Sequence, residues 1–136
     1  MPLITIPATA LVLLALDSVW LTTMAPILYR PNLGDMLLPS FRLGPAVAFY
    51  LTYLFGILYF AIQPSLSTGK VSVAIIRGAL LGFVCYGTYD LTNQATLRIW
   101  PTIVTVADMA WGVTITAVTA ACGAWVAQRQ LGKRTT

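Results

Sequence analysis

A chain of 136 residues with 58% hydrophobic and only 9% charged side chains departs from a soluble domain, where about 25% of residues carry charge. Its formal charge is +4, from 8 Lys and Arg against 4 acidic residues. The bases sit at the ends of apolar runs and form no stripe with aromatics, which argues against nucleic-acid binding. His is absent, which removes the commonest general base and metal ligand. Cys85 and Cys122 lie singly inside apolar runs, so no metal, disulfide or cofactor is expected.

Four apolar stretches predict an all-α fold: a polytopic membrane protein built as a four-transmembrane-helix bundle. The expected helices, in a single domain over 1–136, run over roughly 3–29, 45–63, 71–99 and 101–127. The first lacks a basic leader and is interrupted by Asp17, so it reads as a retained helix and not as a secretory signal. Arg30-Pro31 is expected to end it, because proline restricts the residue before it. The segment 31–44, with Pro31, Asn32, Gly34, Asp35 and Pro39, reads as an irregular loop with a short interfacial turn at 36–38. Asp35 is the one acid placed in water.

The second helix begins at Pro45 and is expected to end at Gln63-Pro64. Ala48, Thr52 and Gly56 recur every four residues, a stripe that would admit a neighbouring backbone. Among its many aromatics, Tyr50 and Tyr53 stand apart, since a buried phenol needs a hydrogen-bond partner. In the third helix Ala74, Gly78 and Gly82 form a similar ladder, after which the character turns polar from Tyr86 to Gln94. Helical spacing would put Tyr86, Asp90 and Asn93 on one face. Trp100-Pro101 punctuates the chain, and the fourth helix opens with Asp108 and Trp111. Its stripe Gly112, Thr116, Ala120, Ala124 suits packing on the third helix.

Four spans bring both termini to one side of the membrane. Arg129, Lys133, Arg134, Lys70 and Arg77 there outweigh Arg30, Arg42 and Arg98 opposite, so both termini are expected in the cytoplasm. Counted at about 1.5 Å per residue, Asp17, Asp90 and Asp108 fall at the membrane middle or in the half away from the termini. A charged carboxylate there costs about 2.5–3.5 kcal/mol on insertion scales, and such residues mark functional sites. The candidate ligand-binding residues are Asp17, Trp20, Tyr53, Tyr86, Tyr89, Asp90, Asn93, Arg98, Asp108 and Trp111, around a polar pocket opening away from the termini. Two structural readings compete: hydrogen-bonded cross-links between helices, or ion pairs of the acids with Arg98, Arg30 or Arg42. Asp-x-x-Trp recurs at Asp17/Trp20 and Asp108/Trp111, and Tyr-x-x-Tyr at Tyr50/Tyr53 and Tyr86/Tyr89. These likenesses fit either an inverted internal repeat or coincidence.

Leu16-Asp-Ser-Val-Trp-Leu21, Phe49-Tyr-Leu-Thr-Tyr53, Thr88-Tyr-Asp-Leu-Thr-Asn93 and Val106-Ala-Asp-Met-Ala-Trp-Gly112 resemble the domain of unknown function 2177 family over nearly the whole chain. The resemblance implies a small four-helix protein of the bacterial inner membrane. It implies no activity and no catalytic residues, and it carries a hint toward lipid chemistry. Three functions fit. The leading one is a small transporter or permeation protein for a proton, cation or small solute, acting as a homo-oligomer if one bundle is too narrow for a pore. The alternative is an intramembrane enzyme or binding protein acting on a lipid or isoprenoid, and the third is an accessory subunit of a larger membrane complex. The partners expected are the lipid bilayer, a second copy of the chain and a small-molecule or lipid ligand.

Overall fold

The structure, a computed structural model, describes residues 1–133. Four helices are long and apolar enough to cross a membrane: α1 (Thr5–Met36), α2 (Leu43–Thr68), α3 (Val71–Thr96) and α4 (Thr102–Gly132). No strand occurs among the described residues. Short connections make the helices antiparallel neighbours, so one end of the bundle holds the termini and the α2–α3 turn. The other, the loop end, holds residues 37–42 and 97–101.

The α3–α4 pair is the spine, joined along the two small-residue ladders expected to pack together. Ala74, Gly78 and Gly82 are buried on α3, and Gly112, Thr116, Ala120 and Ala124 on α4. A Cβ built on Gly78 would stand 2.8 Å from the Thr116 carbonyl oxygen and 2.9 Å from Ala120 Cβ. Only glycine permits backbones to approach this closely. The stripe on α2 behaves differently: Ala48 and Thr52 are exposed, and Gly56 is touched only lightly, by Leu81. Four-residue spacing alone does not choose a partner.

Two helices continue through prolines expected to stop them. α1 runs past Arg30-Pro31 to Met36, and α2 past Gln63-Pro64 to Thr68, where Gly69 at φ +65° ends it. In both, a wide turn precedes the proline. The Arg30 amide donates to the Ala25 carbonyl, and the Gln63 amide to the Leu58 carbonyl, each five residues back. Proline lacks an N–H and its ring crowds the carbonyl four residues earlier; a π-turn relieves that conflict without ending the helix. The irregular segment therefore shrinks from 31–44 to 37–42, with Asp35 exposed as expected. α3 stops at Thr96, short of 99, and α4 continues to Gly132, beyond 127. Arg134, one of the bases in the topology count, lies outside the described residues.

Two apolar clusters bracket the middle of the bundle. Leu13, Tyr53, Ile57, Ile62, Ile115 and Ala120 belong to the larger one. Leu28, Leu33 and Val104 form the smaller one at the loop end, with Trp100 and Ala107 against it. α2 is split in its contacts. From Ile57 onward it packs on α3 and α4, whereas Leu43–Gly56 leans on α1 and makes little contact with α3. The divergence leaves a gap between α2 and the loop-end half of α3.

Candidate functional site

Between the two clusters lie the three acids, and all are buried: Asp17 is 7% exposed, Asp108 6% and Asp90 0%. Asp90 is six residues from the end of α3 and Asp108 six from the start of α4, about 9 Å from each helix end. The two carboxyls are close enough to interact. Tyr29 donates its hydroxyl hydrogen to Asp108 Oδ1, and Trp20 Nε1 donates to the Tyr29 oxygen at 2.8 Å. One layer deeper, Asp17 accepts from the Tyr50 hydroxyl at 2.5 Å and from Trp111 Nε1 at 3.2 Å. The rings of Trp20 and Trp111 stack between the layers, 4.5 Å apart and 4° from parallel.

The two Asp-x-x-Trp motifs thus exchange partners. Trp111 of α4 serves the aspartate of α1, and Trp20 of α1 serves the aspartate of α4 through Tyr29. A tandem duplication would match the first helix with the third, not with the fourth. The likeness between α1 and α4 therefore reflects a shared contact requirement: a buried carboxylate and an indole donor, each reaching across one interface.

Asp90 differs from the other two acids. Neither of its oxygens receives a donor from the described residues. A carboxylate has no hydrogen to give, so its contact with Asp108 is a hydrogen bond only when the pair holds a proton. Asp108 already accepts from Tyr29, and a proton on Asp90 would give both groups a partner.

Beside Asp108 a cavity of about 410 Å³ occupies the gap between α2 and α3. Its walls are Phe49, Tyr53, Cys85, Tyr86 and Tyr89, and Asp108 adds the one carboxyl to the lining. Phe49 and Tyr89, 46% and 57% exposed, flank it at the surface. Tyr53 is 2.6 Å from the Thr116 hydroxyl. That hydroxyl already donates to the Gly112 carbonyl, so Tyr53 must be the donor. Tyr86 packs edge-on against Tyr53, with ring centroids 6.3 Å apart, and its hydroxyl has no hydrogen-bond partner among the described residues.

Of the candidate residues, Asp17, Trp20, Asp90, Asp108 and Trp111 share the buried network, while Tyr53, Tyr86 and Tyr89 line the cavity beside it. Asn93 interacts with Tyr89 and stands off from the acids. Arg98 is exposed on the α3–α4 connection, and no ion pair joins a described base to any acid. The ion-pair reading of the cluster is therefore not realised. At the loop end, toward which the pocket is expected to open, Leu28, Leu33 and Val104 form an apolar cluster. Tyr29, the last residue of the expected first helix, escapes a reading of the sequence because nothing local signals its bond to Asp108, 79 residues away. Tyr50, a phenol in need of a partner, finds it in Asp17.

Four antiparallel apolar helices around a buried, uncompensated group of carboxyls define an integral membrane protein of the helical-bundle class. The chain belongs to the DUF2177 family, described as predicted membrane proteins, whose profile matches residues 3–125. No curated protein and no solved structure matches it.

Proposed function

We propose that this protein receives an amphiphilic molecule from the bilayer and holds its polar head against the Asp90–Asp108 pair. The observation that carries this reading is the cavity itself: mostly aromatic in its lining, with one carboxyl among its walls, and placed between two membrane-spanning helices. A ligand with an apolar body and a polar head matches such a lining. The paired acids could also act on that head as proton donor and acceptor, which keeps an enzyme acting on a lipid or isoprenoid within the same reading.

Axial transport, the leading expectation from sequence, finds less support. A solute path along the bundle axis would have to cross Leu28, Leu33 and Val104 toward the loop end and Leu13, Ile57 and Ile115 toward the termini. With both termini in the cytoplasm of a bacterial inner membrane, the cavity would lie in the half of the membrane away from the cytoplasm.

Photolabelling in nanodiscs with a long-chain alcohol carrying an alkyl diazirine tests the reading. Adducts are expected on Tyr53, Cys85 and Tyr86, and Cys85→Trp, which fills the cavity, should abolish them. Adducts confined to lipid-facing positions such as Ile76 and Leu80, unaltered by Cys85→Trp, would overturn it.

A further inference from the structure

The head group can be narrowed by charge. The donors to Asp17 and Asp108 are neutral Tyr and Trp side chains, and Asp90 has no donor among the described residues. The chain has no His, and none of its described Lys or Arg residues pairs with an acid. A buried carboxylate without a compensating cation is unfavourable in low dielectric. Among the described residues, the site supplies donors to both oxygens of Asp17 and one of Asp108, none to Asp90, and no positive charge to any of them. What it lacks is positive charge, and Asp108 lines the cavity.

From this geometry we infer that the ligand is an organic amine with an apolar tail, bound as its ammonium ion to Asp108. The inference rests on the amphiphile-binding reading above. Asp90, buried and facing only Asp108, holds the proton of the acid pair and donates it to Asp108. That leaves Asp108 as the charged acceptor in the cavity lining. An ammonium nitrogen there would meet one carboxylate and the faces of Tyr86 and Tyr53, and aromatic faces attract cations. The free Tyr86 hydroxyl can accept one of the ammonium hydrogens. Anionic heads are disfavoured, since a carboxylate or bare phosphate would stand beside like charge in a dry site. The amine enters as its ammonium ion, already protonated at the membrane interface, so its single positive charge balances that of Asp108 while Asp90 keeps its proton.

Equilibrium binding of the full chain in nanodiscs separates the sources of such a group. Dodecylamine, dodecanol, dodecanoate and an ethanolamine-headed lysophospholipid would be compared, with butylamine as the tailless control. Dodecylamine should bind at least about tenfold more tightly than dodecanol, because a charge-assisted hydrogen bond exceeds a neutral one. Dodecanoate and butylamine should bind more weakly still. A lysophospholipid that matches dodecylamine assigns the ammonium to a phospholipid head, whereas one that fails assigns it to a phosphate-free amine; either result supports the inference. In Asp108→Asn the advantage of amine over alcohol should disappear while dodecanol still binds, which shows that the variant is folded. Equal affinity for dodecylamine and dodecanol in the unaltered protein would overturn the amine assignment and leave the amphiphile reading intact. Failure of every tailed compound to bind would overturn both.

Discussion

Trp20 and Trp111 stack on one another, yet their N–H groups do different work. Trp111 supplies one of two donors to a buried carboxyl, so Trp111→Phe keeps the stack and leaves Asp17 short of a donor. The expected loss is about 1–3 kcal/mol, the range for an unsatisfied buried acceptor. Trp20 donates to the Tyr29 oxygen, and Tyr29 can still donate to Asp108 without it, so Trp20→Phe should cost less, about 1 kcal/mol or under. Unfolding of both variants in mixed detergent micelles checks the order, and equal losses would contradict the assignment of donors. Asp90 allows a second comparison. Asparagine can donate to Asp108 as the protonated acid does, so Asp90→Asn should shift stability by less than about 1 kcal/mol. Asp90→Ala removes the donor and leaves a void, and about 3 kcal/mol is expected. A greater loss for asparagine than for alanine would mean that Asp90 works as an anion.

Helix identity is legible in the sequence because length and apolar character suffice for a bilayer span, and the ladder Ala74, Gly78, Gly82 marks the α3 face correctly. The prolines mislead, because their ordinary effect is to stop a helix, and nothing in the local residue pattern shows that a π-turn absorbs them. Tyr29 lies in the first of these π-turns, and no local pattern in the sequence signals its bond to Asp108. The α2 stripe misleads in the opposite sense, since small residues permit close packing without causing it. Glycines at the two kinds of position should respond differently. Alanine is better than glycine in a helix by about 1 kcal/mol, and Gly56, where a built Cβ would meet only Leu81 Cδ2 at an ordinary 3.9 Å, should tolerate it. At Gly78 the added methyl would press on Thr116 and Ala120, and overpacking of about 1–3 kcal/mol should outweigh that gain. Thermal unfolding of Gly56→Ala and Gly78→Ala checks the sign.

The bundle as a whole is asymmetric. α3 and α4 lie in backbone contact, α1 closes one side through the exchanged tryptophans, and α2 diverges where the acids lie. Counting along the sequence places Asp17, Asp90 and Asp108 at neighbouring depths because a rise of about 1.5 Å per residue converts position into height. It does not tell which way the hollow faces, because that depends on the lean of α2 and on Leu28, Leu33 and Val104 clustering at the loop end. The direction of opening separates a ligand arriving through lipid from a solute arriving through water. A nitroxide attached to Cys85 in Cys122→Ser protein, reconstituted in bilayers, reports it through collisions with oxygen, which concentrates in lipid, and with a water-soluble nickel chelate. The structure predicts strong relaxation by oxygen and little by the chelate. Relaxation by the chelate as strong as by oxygen would show the hollow to be a water-filled vestibule and would contradict entry of the ligand from the bilayer.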